Sequence, residues 1–531
     1  MWHRGWREDV FLQIEQPWDL VIIGGGITGA GILREATNAG VRALLVEGKD
    51  FGFGTSSRSS KLIHGGIRYL RNGQFGVTYE SVQEREWLLR EAAKLVTALP
   101  FLLPVYAENE RSQRGTGLQI LAYDLMAPKW WHRAYTREQL LAACPEFRSE
   151  HLLRGYGYGD SLMDDARVLF RLIQEAVGSG GTAINYARAE GFLRTQQGEV
   201  CGVVVHDVAG PAGKTYEAKA RVVINAAGPW SDMLRGQLGL PARLRKLRGS
   251  HLVLPRTLLP SADKAVHLLH PKDFRTMFIF GWEGAAIVGT TDLDHDPALE
   301  QRQPEPCASE QEVDYIIAAL QFTFPRAGIT RDHVVSTFAG LRPVVNTGKA
   351  RPSDESRAHA VWDESGLLTI TGGKYTTFRV MAREVLAHAA RRLPGPPRIP
   401  TRRRFFDPLP AALPLLANAP DPSRLLGRYG SEVESMVAAA QPGELASIHG
   451  QPPSWAELRW AARSEGVVHL DDLLLRRLRI GLTLPNGAID DIERIRAIAQ
   501  PELGWTDHRW AEEVAAYQRT WRQAYSPTPG A

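Results

Sequence analysis

A glycine-rich turn near the start of the chain constrains the fold most. The apolar run 19–23 leads into Gly24, Gly26 and Gly29, which have the spacing G-x-G-x-x-G, and a helical pattern follows. A second apolar run ends at Glu47, about 20 residues further on. A strand, a glycine turn, a helix and a second strand ending in an acid form the dinucleotide-binding unit of α/β folds, so we predict a Rossmann-like domain.

Each of these residues has a physical task in such a unit. Gly24 permits the tight turn, Gly26 lets a pyrophosphate approach the backbone, and Gly29 lets the helix and the strand pack closely. The helix N-terminus faces the phosphates, and Glu47 accepts hydrogen bonds from ribose hydroxyls. A glycine-rich turn without a ligand would not need all of these features together.

Three further segments indicate which dinucleotide is bound. The loop 55–66 is dense in Ser, Thr and Gly, yet it contains two consecutive aliphatic residues, which argues against a fully solvated loop. The runs 222–230 and 369–379 each lead from a strand into a glycine turn, and Lys374 can stabilise negative charge on a reduced flavin ring. A nicotinamide cofactor has no evident use for these segments, so we predict FAD. The predicted cofactor contacts beyond the first turn are Thr55, Ser56, Ser60, Lys61, Leu62, His64, Ala227, Gly228, Gly373, Lys374 and Thr376.

Composition narrows the class of protein. The 63 Lys and Arg residues nearly balance the 59 Asp and Glu residues, which gives little support for nucleic-acid binding. No run reaches the roughly 18 apolar residues of a membrane span, and the first residues lack the apolar core of a signal peptide. The three cysteines and the histidines show neither a disulfide framework nor metal-ligand spacing. We therefore expect a cytoplasmic protein, or one bound only at a membrane surface.

Proline clusters predict the organisation of the chain. Seven prolines within 394–415 interrupt the pattern of helices and strands, so we divide the chain near residue 400. A long helix is expected over Glu80–Leu99 and a sheet within His251–Thr291. The expected parts are an N-terminal extension 1–17, an FAD-binding domain 18–400 and an α-helical C-terminal domain 401–531. In the second part, about 18–95, 150–245 and 330–395 are assigned to FAD binding, and about 96–149 and 246–329 to a mixed-sheet substrate region.

Ordered motifs along residues 18–380 point to one family. The most diagnostic is SSKLIHGGIRYL at 59–70, accompanied by GGGITGAG, MDDAR, NAAGPW, RGSH, VGTTD, AGLRPV and GGKYTTFR. Together they resemble the FAD-dependent glycerol-3-phosphate dehydrogenases, within the D-amino-acid-oxidase-like flavoproteins. Thr28 and Tyr375 depart from the family's common Asn and Leu, at positions that touch no expected catalytic group. The C-terminal part resembles the family's helical extension less sharply, through residues 466–477.

The resemblance implies a reaction and its partners. The substrate would be sn-glycerol 3-phosphate, oxidised to dihydroxyacetone phosphate with non-covalent FAD as hydride acceptor and a membrane quinone as electron acceptor. The protein would attach peripherally to the anionic inner face of the cell membrane, and a homodimer is one option for its assembly.

The same motifs suggest residues for a phosphate dianion. By resemblance, Arg68, Arg342 and Arg357 hold the phosphate, because guanidinium groups donate paired, charge-assisted hydrogen bonds. Tyr69 would add a hydroxyl donor, and Lys374 would contact substrate and flavin oxygens. An arginine more often forms an ordinary ion pair, and this alternative has most weight for Arg357, which lies in a polar stretch.

The proton-accepting group has more than one candidate. His251 is the leading one, since the ordinary pKa of histidine lies near neutrality. A structural histidine on a strand edge explains the residue equally well. Alternatively, Arg342 holds and polarises the C2 oxygen while water takes the proton. Lys374 serves the flavin and the substrate oxygens rather than acting as the base.

Two segments could contact lipid, and three other functions stay open. Residues 2–14 interleave aromatic and basic side chains, and Leu473–Ile480 places leucines beside three arginines. A packed tail and an amphipathic core helix explain these segments better. The alternative functions are a glycerol-3-phosphate oxidase that uses O2, an amine or amino-acid oxidase of the same superfamily, and a nucleotide-binding protein without turnover.

Overall fold

The computed structural model describes residues 2–67, 75–110, 115–127, 131–210, 213–259, 263–302, 305–351, 355–393, 404–410, 416 and 419–528. The strands in these ranges are β1 (Trp18–Ile23), β2 (Ala43–Val46), β3 (Leu62–Ile63), β4 (Val96–Tyr106), β5 (Arg133–Thr136), β6 (Leu152–Met163), β7 (Thr182–Ile184), β8 (Ala187–Arg194), β9 (Val200–Asp207), β10 (Thr215–Asn225), β11 (Leu244–Pro255), β12 (Ala265–Leu269), β13 (Thr276–Trp282), β14 (Ala285–Gly289), β15 (Leu293–Asp294), β16 (Ser336–Val345), β17 (His359–Glu364), β18 (Leu367–Gly372), β19 (Ser447–Ile448) and β20 (Gln451–Ser454).

The α-helices in the same ranges are α1 (Trp6–Ile14), α2 (Ile27–Asn38), α3 (Phe75–Glu91), α4 (Thr116–Leu125), α5 (Arg137–Ala143), α6 (Asp165–Gly178), α7 (Ser231–Gly236), α8 (Pro297–Arg302), α9 (Glu310–Thr323), α10 (Phe378–Ala389), α11 (Pro422–Tyr429), α12 (Val433–Ala439), α13 (Trp455–Ser464), α14 (Ile480–Thr483), α15 (Ile492–Leu503) and α16 (Asp507–Ala524).

The first sheet is the predicted dinucleotide-binding sheet. Strands β18, β10, β1, β2 and β7 run parallel in that order, and β17 adds an antiparallel edge. Successive residues of a strand point to opposite faces, so Leu20 and Ile22 join the core with α2, α6 and α10. Val21 and Ile23 join a second core with α1 and β9. Both faces are therefore covered, as a parallel sheet requires, and the predicted Rossmann-like α/β class is confirmed.

The second sheet is mixed and has ten strands. Its order is β15, β11, β14, β13, β12, β4, β6 and β3, with β16 paired to β11 and β5 paired to β6. Strands β12 and β4 are parallel. Two segments within the stretches that we assigned to FAD binding, Leu152–Met163 and Ser336–Val345, form β6 and β16 of this sheet. Their pairing partners lie far away in sequence, and strand pairing over such a distance leaves no local signal.

The helix predicted over Glu80–Leu99 is wrong in its second half. Helix α3 ends at Glu91, and Lys94 has the left-handed φ of +69°. Strand β4 begins at Val96 and pairs with β6 along its whole length. The leucines of this stretch fit the helical spacing that we used, and the pairing with β6 is what makes the stretch a strand.

The C-terminal residues are mostly helical, with a π-helix at Asp472–Arg477 and the short β19–β20 pair. Their core is continuous with the second sheet, because Trp282 and Phe338 belong to the same cluster as Leu473 and Trp521. Phe405 packs instead with the core of the first sheet. The boundary proposed near residue 400 thus precedes residues that pack with the core of the first sheet.

Apart from the exposed Leu12, the large apolar side chains of the two segments considered for lipid contact are buried or partly buried. Trp2 is buried and stacks on Phe51 with ring centroids 5.3 Å apart, and Phe11 and Ile14 are buried as well. Residues Leu473–Ile480 are also buried. In the part of the chain that the structure describes, no helix has the length and apolar character to cross a membrane.

Candidate active site

A cavity of about 1370 Å³ brings residues of both sheets together. The glycine turn after β1 lines one end. The loop 53–67, strands β6 and β11, residues 290–292 and the turn 371–376 line the rest. The predicted dinucleotide turn thus shares one space with the predicted substrate residues Arg342, Arg357 and Lys374.

The backbone at the dinucleotide end is open to a ligand. Gly24 has φ +113°, and a Cβ there would lie 2.6 Å from the carbonyl oxygen of Ala226. Gly26 lines the cavity at the start of α2, and a Cβ on it would approach Ser56 Oγ to 3.1 Å. A Cβ on Gly29 would lie 1.9 Å from the Gly24 carbonyl oxygen, so Gly29 serves packing and does not line the cavity. These features fit a pyrophosphate at the helix N-terminus.

Glu47 lines the same end, as do Ala227 and Gly228. Its Oε2 accepts the N–H of Gly25 at 2.7 Å, and its Oε1 accepts the N–H of Lys49 at 2.8 Å. Burial raises the pKa of this carboxyl, and the two backbone hydrogen bonds oppose that shift. Each oxygen retains a second lone pair, so the carboxyl group remains able to accept a ribose hydroxyl.

The polar loop after β2 lines the cavity with most of its predicted residues. The Oγ of Ser56 accepts the N–H of Ile27 at 2.9 Å, which ties the loop to the start of α2. Thr55 donates its hydroxyl to the carbonyl of Leu341. The other predicted contacts that line the cavity are Ser60, Leu62, His64, Gly373, Lys374 and Thr376.

Lys61 points away from the cavity, contrary to the prediction that it contacts the cofactor. Its ammonium group donates to the two carboxylate oxygens of Asp165 at 2.9 and 3.0 Å, and the side chain is fully buried. Burial lowers the pKa of Lys61 to about 8, against the opposing effect of Asp165. The backbone at Lys61 has φ +57°, a local turn that residue spacing does not reveal.

Three arginines meet at one buried carboxylate. Asp292 accepts from Arg342 Nη1 at 3.1 Å and from Arg357 Nη2 at 3.3 Å, and Arg275 Nη2 lies 3.9 Å from its Oδ2. All four residues line the cavity, and we call them the arginine cluster. Three positive charges surround one negative charge, so the cluster suits an anionic ligand.

His251 lies beside this cluster. Its Nε2 is 2.8 Å from Ser60 Oγ, and its ring stacks on Phe338 at 4.6 Å. Burial lowers the pKa of His251 well below its ordinary value of 6.5, and the positive charges of Arg342 and Lys61 lower it further. The imidazole is therefore neutral at pH 7 and able to accept a proton.

Lys374 lies in the turn after β18 and donates its ammonium group to Ser81 of α3. Burial lowers the pKa of Lys374 to about 8, and the charges of Glu80 and Asp160 oppose this shift. The side chain thus holds a positive charge in a largely dry part of the cavity at neutral pH. A dry positive charge is well suited to stabilise negative charge on a bound ring or substrate.

Most of the predicted site residues line one cavity, together with residues that the sequence did not predict. His251, Arg342, Arg357 and Lys374 all line the cavity, whereas Arg68 and Tyr69 lie outside the described residues. Sequence reasoning missed Arg275 and Asp292. Asp292 ends the VGTTD motif and could have been found there; Arg275 has no such signal. No group of three potential metal ligands occurs within the described ranges.

Comparison with known proteins agrees with this geometry. A family model described as FAD dependent oxidoreductase matches residues 19–388. A second model, described as the C-terminal domain of alpha-glycerophosphate oxidase, matches residues 415–510. The aerobic glycerol-3-phosphate dehydrogenase of Staphylococcus haemolyticus is 33% identical over 494 residues, which cover 87% of this chain and 86% of the relative. The protein of the same name from Staphylococcus epidermidis strain RP62A is 37% identical over 387 residues, covering 71% and 68%.

Solved structures agree as well. The glycerol-3-phosphate dehydrogenase from Bacillus halodurans, complexed with FAD, has a TM-score of 0.78 and 28% identity, and the match covers 100% of this chain and 99% of that one. The L-alpha-glycerophosphate oxidase from Mycoplasma pneumoniae has a TM-score of 0.58 and 17% identity, covering 75% of this chain and 100% of that one, which shows the fold alone.

The fold and the cavity define a flavin-dependent oxidoreductase. A dinucleotide turn, a polar loop and a buried lysine line one space, together with a cationic cluster for a small anion. The chain belongs to the FAD-dependent oxidoreductase family, in the branch of the glycerol-3-phosphate dehydrogenases. The prediction of FAD is thereby confirmed.

Proposed function

We propose that the chain oxidises sn-glycerol 3-phosphate to dihydroxyacetone phosphate. The arginine cluster carries this proposal, because three guanidinium groups around one carboxylate suit a phosphate dianion in charge, and guanidinium groups donate paired hydrogen bonds to phosphate oxygens. The names of the relatives support the same substrate. An amine substrate would find excess positive charge at this place, which disfavours an amine oxidase.

The residues around the substrate have different roles in the reaction. When bound, FAD supplies the acceptor for the hydride that leaves C2. His251, neutral at pH 7 and held at Nε2 by Ser60, takes the proton of the C2 hydroxyl. Arg342 belongs to the arginine cluster and lies near His251, so it orients the C2 oxygen or, if water is the base, polarises it. Lys374, in the turn after β18, supplies a positive charge at the cavity wall.

An anaerobic titration tests the substrate. The purified yellow protein is mixed with sn-glycerol 3-phosphate, and we expect the visible flavin band to bleach, whereas glycerol and sn-glycerol 1-phosphate leave it unchanged. Bleaching by amines or amino acids instead would remove the proposed substrate. We also propose that the flavin is held non-covalently, so acid precipitation of the protein should leave all of the flavin in the supernatant.

We further propose that a membrane quinone is the final electron acceptor and that the protein binds the inner face of the cell membrane peripherally. An exposed apolar surface supports this. It consists of the side chains of Phe75, Tyr79, Leu118, Leu125 and Trp131, which we call the α4 surface. Leu118 and Leu125 are 72% and 64% exposed, which is unusual for two leucines on one face of a helix.

The α4 surface lies close to the cavity. The inner side of α4 carries the buried Tyr123, whose hydroxyl accepts the N–H of Gly65 at 2.7 Å and donates to the cavity-lining Asp160. Gln83 of α3 donates to the carbonyl of Met126 at 2.7 Å, so the two helices that carry the surface adjoin. A lipid-soluble acceptor at this surface would have a short path to the cavity.

Sequence charge supports an anionic membrane as the contact. The stretches 69–74, 111–114 and 128–130, which adjoin α3 and α4 along the chain, hold four Arg or Lys residues and no Asp or Glu. Basic residues that neighbour apolar helices in the sequence favour anionic lipid.

Molecular oxygen is the second candidate acceptor. The match of residues 415–510 to a domain named for alpha-glycerophosphate oxidase favours it. After reduction by glycerol 3-phosphate, reoxidation by a short-chain quinone and by air is compared. Rapid reoxidation by the quinone with little peroxide supports a quinone acceptor, whereas stoichiometric peroxide in air at a comparable rate supports the oxidase.

A further inference from the structure

Asp165 lies behind the cavity and contacts the loop that lines it. Its carboxylate accepts the N–H of Ser59 at 3.0 Å and the hydroxyl of Ser59 at 2.7 Å, together with the ammonium group of Lys61. Ser59 lines the cavity, and the next residue, Ser60, holds His251. Asp165 is fully buried and does not line the cavity itself.

Asp165 also holds the second cavity loop. Its backbone carbonyl accepts the hydroxyl of Tyr375, which follows Lys374 in the turn after β18. Both residues of that turn line the cavity. Asp165 is therefore hydrogen-bonded to both cavity loops. One loop carries Ser60, the partner of His251, and the other carries the positively charged Lys374.

A positively charged side chain from the C-terminal part of the chain also contacts the Asp165 carboxylate. Arg479 donates to the Asp165 carboxylate, to Asp164 at 3.3 Å and to the carbonyl of Ser57 at 3.2 Å. Its side chain is 1% exposed. The backbone of Arg479 has φ +72°, a left-handed conformation that an L-residue adopts only when its surroundings enforce it.

We infer that Asp165 and Arg479 are positioning residues, through which the C-terminal domain sets both cavity loops for FAD and for the substrate. Lys61 is the other cationic partner of the Asp165 carboxylate, and Arg479 in addition reaches Ser57 directly. Without its guanidinium group, Ser57 loses a donor and Asp165 turns toward Lys61 alone. The loop from Ser57 to Ser60 then shifts at the cavity wall. The part of this inference that concerns the substrate rests on the proposed function, and the part that concerns FAD does not.

The test compares two buried arginines of the C-terminal domain. Arg479→Met removes the contact to the loops. Arg459→Met is the matched control, because Arg459 is also buried, at 6% exposure, and its ion pairs, with Glu444 and Glu502, stay within the C-terminal domain. Arg479→Lys retains the positive charge and serves as the conservative variant. All three are studied as full-length holoenzymes at a temperature where circular dichroism shows them folded.

Two readouts separate positioning from general stability. FAD affinity is measured by serial dilution of the holoenzyme, following the fluorescence of released FAD, and flavin bleaching by glycerol 3-phosphate is followed in stopped flow. For Arg479→Met we expect at least tenfold weaker FAD binding and at least tenfold slower bleaching, with partial recovery in Arg479→Lys. For Arg459→Met we expect a lower melting temperature with both readouts unchanged.

Two results would overturn the inference. One is wild-type FAD affinity in folded Arg479→Met, and the other is an equal loss of FAD affinity in folded Arg459→Met. If Arg479→Met does not fold, Arg479→Lys decides, since its FAD affinity must then fall below that of Arg459→Met. Failure of glycerol 3-phosphate to bleach even the wild-type flavin would count against the proposed function, while the FAD readout would still decide the inference.

Discussion

His251 combines a buried position with contact to a flexible hydroxyl. Because burial and positive neighbours lower its pKa well below 6.5, the neutral imidazole is present over the whole neutral range. We expect kcat at saturating substrate to stay level as the pH falls from 7 to 6, whereas a base with an ordinary pKa would lose activity there. The substitution His251→Asn should lower kcat by about 10²- to 10⁴-fold. A fall of wild-type kcat at saturating substrate centred at pH 6.5 would contradict a neutral buried base.

Lys374 should control the alkaline side of the kcat/KM profile. Burial lowers the pKa of Lys374 to about 8, so its positive charge is lost as the pH rises through 8. We expect kcat/KM for glycerol 3-phosphate to fall above that pH, since the charged form stabilises the anionic substrate and ring. The variant Lys374→Arg, measured over the same pH range, should shift this fall to higher pH. An unchanged alkaline limb in that variant would show that Lys374 does not cause it.

Arg275 is the member of the arginine cluster that sequence reasoning missed. A charge-assisted hydrogen bond contributes about 1.5–3 kcal/mol, so Arg275→Met should weaken substrate binding by roughly 10- to 100-fold. Inorganic phosphate, used as a competitive inhibitor, should weaken in parallel, because the lost contact is to the phosphate. Arg331→Met is a suitable control, since Arg331 pairs at the surface with Asp314. Phosphate inhibition that stays at the wild-type level would remove Arg275 from the phosphate site.

At the scale of elements, helix α4 carries its exposed leucines on the side opposite the buried Tyr123. We expect the double variant Leu118→Ser/Leu125→Ser to lose most of its flotation with anionic liposomes, because it removes apolar area from the α4 surface. Flavin bleaching by glycerol 3-phosphate should be retained. Leu12→Ser is the matched control, since Leu12 is 79% exposed on α1. Equal flotation of the double variant and the control would show that the α4 surface does not bind lipid.

Elements defined by local sequence were the ones that could be predicted. The parallel strands and the glycine turn follow from short apolar runs and from the special backbone of Gly24, so the first sheet was predictable. The strand β4 was not, because its pairing with β6 is decided some fifty residues away. Within the site, the positions of the Arg275 and Lys61 side chains could not be predicted for the same reason. Their side-chain directions depend on turns and on distant partners, such as Asp292 and Asp165.

At the scale of the whole molecule, buried ion pairs join the C-terminal helices to the FAD-binding part. Arg167 of α6 donates to both oxygens of Glu465 at 2.5 and 2.7 Å, and both side chains are fully buried. Glu465→Gln leaves Arg167 without its counter-charge, so we expect the free energy of unfolding to fall by about 3–5 kcal/mol. Urea unfolding followed by tryptophan fluorescence measures this. Asp314→Asn, at an exposed ion pair, should change it by about 1 kcal/mol or less; equal effects of the two changes would contradict the expectation.

The shared core of the second sheet and the C-terminal helices has a consequence for biosynthesis. Trp282 and Phe338 are made long before Trp521 and Tyr525, with which they form one hydrophobic cluster. Thr337 in β16 even donates its N–H to the carbonyl of Tyr525 at 2.7 Å. A chain emerging from the ribosome therefore exposes apolar sheet surface for the time that nearly two hundred further residues take to be translated. The cavity walls can reach their final arrangement only after nearly the whole chain has been synthesised.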